Sequence, residues 1–172
     1  MLEIRDIPPD QIDIEALTAL LIDAVDSGAA VGFVAPLARE QALAYWEEIR
    51  AALGERLILM GAYMDGRLVG SVQLRCAWQT NGRHRAEVQK LFVHRSERRR
   101  GIGRALMAAV ERRAAGLGRW LLILDTRLGD LAEPLYESMG YVRVGAIPDY
   151  AVNSAGGLSP TVIFYKRLDR TG

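Results

Sequence analysis

One cysteine, Cys76, and two histidines, His84 and His94, are all that the 172 residues carry of the usual soft metal ligands. A lone thiol excludes an internal disulfide and a cysteine-rich zinc site. No stretch approaches the ~20 consecutive apolar residues that a membrane-spanning helix needs. Met1-Leu2-Glu3-Ile4-Arg5 lacks the layout of a signal peptide. Internal repeats, low-complexity tracts and linkers are absent as well. Neither sign of charge is in excess, with 22 Lys+Arg against 21 Asp+Glu and a net charge of +1. The chain as a whole is therefore no polyanion binder. These absences leave a cytoplasmic globular protein without a membrane partner as the expectation. Against them stands an ordinary globular composition, 50% hydrophobic and 25% charged. A chain of this length buries roughly 70% of its unfolded surface without staples. The expectation is one domain over residues 1–172.

The charges are unevenly spread. Residues 1–30 hold Glu3, Asp6, Asp10, Asp13, Glu15, Asp23 and Asp26 against Arg5 alone. Residues 83–104 hold Arg83, Arg85, Lys90, Arg95, Arg98, Arg99, Arg100 and Arg104 against Glu87 and Glu97. A local anion site is implied there. Apolar periodicity predicts a strand at 2–5, a helix over 14–25 stopping at Gly28, and a helix over 37–53 stopping at Gly54. Strands at 56–64 and 67–76 surround Asp65-Gly66, a two-residue hairpin signal. Asn81-Gly82 turns into a strand at 85–94, so these three strands read as an antiparallel meander. A helix follows at 102–116. The apolar run at 119–125 predicts a central strand covered on both faces. A short helix at 131–139 has Asp130 as its N-cap candidate. Strands at 141–147 and 160–168 flank a glycine-rich loop. The order is β-α-α-β-β-β-α-β-α-β-β, a mixed sheet with helices on its faces, α/β or α+β in class.

The chemistry centres on Arg98-Arg99-Arg100-Gly101-Ile102-Gly103-Arg104, between a strand and a helix. Successive backbone N–H groups at a helix start attract an anion, and glycines let a phosphate come close. A phosphate-cradling Walker loop needs Gly-Lys-Ser/Thr, and this loop has Gly-Arg-Ala. A dinucleotide fingerprint needs Gly or Ala where Leu106 stands. What remains is Arg-x-x-Gly-x-Gly after a strand, with diphosphate as the natural guest.

Val88-Gln89-Lys90-Leu91-Phe92-Val93, taken with Arg98 to Leu106, resembles the acetyl-CoA signature of the GNAT acyltransferase superfamily. Leu135-Tyr136-Glu137-Ser138-Met139-Gly140-Tyr141 resembles that superfamily's second motif. Segments outside this core (residues 28–33, 81–91, 124–126 and 141–145) are similar to its toxin-resistance members. The resemblance implies a single-domain N-acyltransferase fold, a mixed twisted sheet of about seven strands flanked by four helices. It implies acetyl-CoA as co-substrate, no metal, and direct transfer in a ternary complex to a small-molecule amine or amino-acid-like substrate. A β-lactam toxin is one candidate acceptor, and a homodimer is left open.

An amine with a pKa near ~10 arrives protonated, so transfer needs a base. Glu87 and Asp125 are the candidates, and the resemblance implies that the two act as a pair, without deciding which removes the proton. It implies Tyr136 as the acid that protonates the leaving thiolate. It also implies that Leu91, Phe92 and Val93 offer backbone to the pantetheine on a strand splayed from its neighbour, with Arg98, Arg99, Arg100, Gly101, Ile102, Gly103 and Arg104 around the phosphates. Trp78 to Thr80, the first helices and the loop at 148–159 are expected to line the acceptor cleft. Phe33 and Trp78 are candidate substrate contacts. Phe33 and Trp46 also read as core, and Cys76 as a buried thiol rather than a nucleophile. Two other classes stay open: a non-catalytic acyl-CoA sensor, and a nucleic-acid-binding module using 83–104.

Overall fold

Asp13 starts the first helix, its carboxylate accepting the Ala16 N–H at 3.0 Å. In the computed structural model, which describes residues 1–169, the elements are β1 Leu2–Asp6, α1 Ile14–Asp26, α2 Arg39–Ala52, β2 Leu57–Met64, β3 Arg67–Cys76, β4 Arg85–Val93, α3 Ile102–Gly116, β5 Leu121–Arg127, α4 Glu133–Ser138, β6 Val142–Val152 and β7 Leu158–Arg167. The order agrees with the sequence reading. The last three residues of the expected 1–172 domain lie outside the described residues.

The seven strands form one sheet in the order β1-β2-β3-β4-β5-β7-β6. Every pairing is antiparallel except β4 with β5. That parallel step requires a crossover, and α3 makes it. One face of the sheet is covered along β2 to β5 and β7. Leu106, Met107 and Val110 of α3 pack there with Ile58, Leu74, Val88, Leu122, Leu124 and Phe164. The other face is covered only in part. Leu17 and Leu21 of α1 and Trp46 of α2 pack with Leu57, Leu59 and Phe92. No described residue of β5, β6 or β7 joins that second cluster.

The prediction for 119–125 therefore needs correcting. The strand starts at Leu121, and it is covered on one face only. Leu122 and Leu124 are buried, Leu121 and Ile123 half-buried, and Asp125 exposed. Its apolar run reports a core on one side and a cleft floor on the other. α2 starts two residues later than expected, at Arg39. α4 is shorter, with Ala132 at its N-cap. Asp130 instead accepts the Ala132 N–H at 3.0 Å from two residues before that cap. β6 and β7 are longer than predicted, which shrinks the expected 148–159 loop to 153–157. Pro148 sits inside β6 because that strand is the sheet edge, where a missing N–H breaks no ladder. The register shifts between Ile147 and Ala151, and Asp149 takes φ 51° there.

Candidate active site

β4 carries the site, and a bulge shapes it. Its partners on β3 run Gln89↔Gln73 and then Phe92↔Ser71, so Lys90 and Leu91 oppose Val72 alone. Lys90 takes φ 53° to absorb the extra residue. Such an insertion inverts every side chain beyond it. Glu87 and Gln89 stand on the α1–α2 side. Past the bulge Phe92 takes that side, buried 6.4 Å from the Trp46 ring between centroids, while Leu91 and Val93 pack against the opposite core. The same bend parts the two central strands. β4 and β5 pair only over Arg85↔Leu121, Ala86↔Leu122 and Glu87↔Ile123.

A cavity of about 600 Å³ opens where the strands part. Glu87, the last β4 residue paired with β5, lines it. So does Asp125, two residues beyond Ile123 on β5. Asp125 accepts a hydrogen bond from the Thr161 hydroxyl of β7 at 2.7 Å. Tyr136 of α4, Leu91 and Phe33 complete this part of the wall. Tyr136 is almost fully buried. Burial, and then the charges of Asp130 and Asp125, push its phenol well above the usual tyrosine range, so it keeps its proton at neutral pH. The roof is the α1–α2 segment 28–34 and the β6–β7 hairpin. Arg127 ties the roof down by donating to the Gly28 carbonyl at 3.2 Å, and the Ala35 N–H donates to Ser154 Oγ at 3.3 Å.

Lys90 is the residue that sequence reasoning missed. It also lines this cavity. Its ammonium lies 5.9 Å from the Phe33 ring centre, and a Cβ on Gly32 would stand 2.8 Å from Nζ. Glycine at 32, with φ 86°, is what leaves the lysine room. Burial pulls the Lys90 pKa down, while Asp125 and Glu87 push it back up. The signal was present in the sequence: Gln89-Lys90 puts two polar residues in a row where a strand should alternate.

The glycine loop lies beyond this cavity, at the start of α3. Arg99 and Gly101 both take left-handed backbone, φ 64° and 80°. That turn leaves the N–H groups of 99–104 without a backbone acceptor, and the first helical bond runs from Ala105 N–H to the Gly101 carbonyl at 3.0 Å. Arg99 is exposed and forms no ion pair among the described residues. The other side chains are engaged within the protein. Arg98 donates to the Val93 carbonyl at 3.1 Å and to Ser27, locking the loop to the end of β4. Arg100 pairs with Glu97, and Arg104 donates to Ser138. Ile102 is core, so only its backbone faces the loop. Trp78 stands apart from the first cavity and lines a second one. Cys76 is buried, and burial pushes its thiol up, away from thiolate chemistry. His84 stacks on Trp120, and His94 faces Asp23 at 3.5 Å.

The profile of the acetyltransferase (GNAT) domain matches residues 55–143, which span the meander, the bulged strand, the glycine loop, β5 and α4. The chain belongs to the GNAT acetyltransferase family. The GNAT chain is 35% identical over 124 residues to an uncharacterized N-acetyltransferase from the hisH–hisA intergenic region of Azospirillum brasilense, covering 71% of this chain and 73% of that one. Its fold matches the ribosomal-protein-alanine N-acetyltransferase of Brucella melitensis with a TM-score of 0.77 at 24% identity, over 96% and 99% of the two chains. It also matches yncA of Salmonella typhimurium, solved with its cofactor acetyl-CoA, with a TM-score of 0.77 at 21% identity over 99% and 96%. Among the described residues no helix is long and apolar enough to cross a membrane, and no three His, Cys, Asp or Glu side chains converge as a metal site.

Proposed function

We propose that residues 1–172 form a single N-acetyltransferase domain that moves the acetyl group of acetyl-CoA to the amine of a small molecule. The observation that carries this reading is the parting of β4 from β5 just past Glu87, with Asp125 and a protonated Tyr136 in the same cavity. The residues fit the donor. Unbonded N–H groups at 99–104, with Arg99 exposed beside them, suit its pyrophosphate. The splayed edge of β4 at Leu91 to Val93 suits an extended pantetheine, whose amides pair with strand backbone. Arg98 acts from behind, as a brace for the loop.

Either Glu87 or Asp125 takes a proton from the bound ammonium. The freed nitrogen attacks the thioester carbon, a backbone N–H of the splayed strand steadying the negative charge on oxygen. The carbon–sulfur bond breaks, and Tyr136 gives its proton to the departing thiolate. The new amide nitrogen gives up its remaining extra proton, which passes through water to the Tyr136 phenolate and restores the phenol. The step is a direct transfer and leaves Cys76 untouched.

Gly28–Phe33, Asn81–Leu91, Leu124–Thr126 and Tyr141–Gly145 resemble the tabtoxin resistance protein, so a tabtoxinine-β-lactam-like amino compound is the first acceptor to assay. A homodimer is part of the proposal. β6 is an edge strand exposed along its whole length, with Val142, Val144, Ile147, Tyr150 and Val152 uncovered, and an uncovered apolar edge is a template for pairing.

The test is thiol release from acetyl-CoA across amines, amino acids and β-lactam compounds, with a thermal shift on acetyl-CoA. Tyr136→Phe should lower turnover with donor affinity nearly intact. Donor binding with no thiol release on any amine would favour an acyl-CoA sensor. Salt-dependent nucleic-acid binding with no donor binding would overturn the reading.

A further inference from the structure

A second cavity, of about 450 Å³, adjoins the first. Glu87 lines both. Its floor is the outer end of β3 and the start of β4, with Ile123 of β5, and Trp78 is its wall. Three arginines reach it: Arg56, Arg75 and Arg85. Among the described residues nine other arginines pair with carboxylates, Arg67 with Glu97 and Arg113 with Asp6 among them. Among the same residues none of these three does. Arg75 makes only a long bond, 3.3 Å, to the Gln89 side chain. Arg85 lies over Gly82, its Nη2 2.8 Å from where a Cβ would stand. Arg56 lies over the Trp78 ring at 5.8 Å, and Trp78 is 65% exposed.

Three guanidiniums share this cavity with one carboxylate, Glu87, so the lining keeps a positive excess, and a bound anion relieves the repulsion that remains. Guanidinium forks match a carboxylate in two-point fashion. The spacing narrows the choice of anion. Arg75 and Glu87 are direct cross-strand partners on one face of the sheet, which sets their Cβ atoms roughly 5 Å apart. An anion held by Arg75 and an ammonium held by Glu87 must then be close neighbours in one molecule.

We infer that this cavity is the anion subsite of the amine acceptor. The acceptor is an α-amino acid or a near relative, with its carboxylate on Arg75 and Arg85 and its side chain against Trp78 and Arg56. This rests on the acetyl-transfer reading, because it supposes that the amine reaches Glu87.

The acetylated products test it without turnover. The full chain is titrated calorimetrically with N-acetylmethionine, N-acetylphenylalanine and N-acetylglutamate and with their carboxamides, in wild type and in the Arg75→Gln/Arg85→Gln double variant. In wild type at least one acid should bind about tenfold more tightly than its amide, a loss in line with one charge-assisted pair. In the double variant the ratio should fall to within about twofold, with acetyl-CoA affinity unchanged. Arg75→Lys, which keeps the charge and loses the fork, should retain part of the preference. Acids and amides binding alike, or none binding, would overturn the inference. So would a preference that survives the double variant, or arginine variants that weaken acetyl-CoA instead. Failure of acetyl-CoA to bind the wild type would sink the transfer reading by itself, since the acid-to-amide ratio is read without it.

Discussion

The two halves of the sheet are built to different ends. β2, β3 and β4 lie between two helical layers, α3 on one face and α1 with α2 on the other. β5 and β7 carry a core on one face only, and β6 is exposed throughout. The doubly covered half holds one wall of the cleft rigid. The half-covered part leaves Ile123, Asp125 and Thr161 facing a space that a ligand can enter. β4 belongs to both halves, and its bulge at Lys90 is where one becomes the other. A site at that junction obtains its rigidity from the covered strands and its access from the bare face.

The largest expected effect breaks this division at its seam. Of Glu87→Gln and Asp125→Asn, the one that removes the base should lower turnover on the acceptor by about 10²–10⁴-fold, the usual yield of a positioned base, and the other by less. Stability and acetyl-CoA affinity should hardly change, as denaturant melts and donor titration would reveal. Equal loss of folding would make both residues structural.

Next comes a pair of neighbours on β5. Leu122→Ala empties a fully buried core site and should cost about 2–5 kcal/mol. Ile123→Ala, one residue along on the cleft face, should cost about 1 kcal/mol or less. Urea unfolding of the two variants measures the contrast, and similar values would mean that the bare face is covered in solution.

A smaller effect belongs to the covered half. Burial alone would raise the Asp23 carboxyl, but the Arg95 backbone N–H at 2.8 Å, the Arg95 guanidinium and the His94 charge outweigh it and hold the pKa low. A carboxylate with a depressed folded pKa stabilises above its unfolded value and loses that contribution as pH falls through the folded one. Stability should therefore drop from just below the ordinary aspartate pKa downward. Asp23→Asn should remove that acid slope and cost about 1 kcal/mol at neutral pH. A slope unchanged in the variant would assign it to other groups.

The smallest effect lies at the opposite edge. Val144→Lys on β6 should change monomer stability by less than about 0.5 kcal/mol. It should abolish any dimer seen by sedimentation, and a dimer untouched by it uses another surface.

Several features of this molecule are legible in one dimension. The helix over Ile14–Asp26 shows through its apolar stripe and Asp13, and the hairpin through Asp65-Gly66. The glycine loop is visible because it is contiguous, and Arg99 and Gly101 take the left-handed backbone that such a turn requires. The site is harder to read. Glu87, Asp125 and Tyr136 could be named through their resemblance to family motifs, yet nothing local to them says that they share a cavity. Trp78 and Phe33 are both candidate substrate contacts by sequence, and they line different cavities. The run at 119–125 looks doubly buried because alternation fails there, although one of its faces is open.

What the chain alone decides is periodic or contiguous: the order of its elements, where helices begin and turn, and a run of amide groups ready for an anion. Those follow from backbone sterics and from apolar spacing within a few residues. Tertiary structure alone decides that one extra residue at Lys90 turns β4 over, that α1 and α2 stop short of β5, and that Arg56, Arg75 and Arg85 gather around one cavity with Glu87 as its only carboxylate. Register, coverage and charge pairing depend on residues far apart in sequence, and only the folded sheet brings these together.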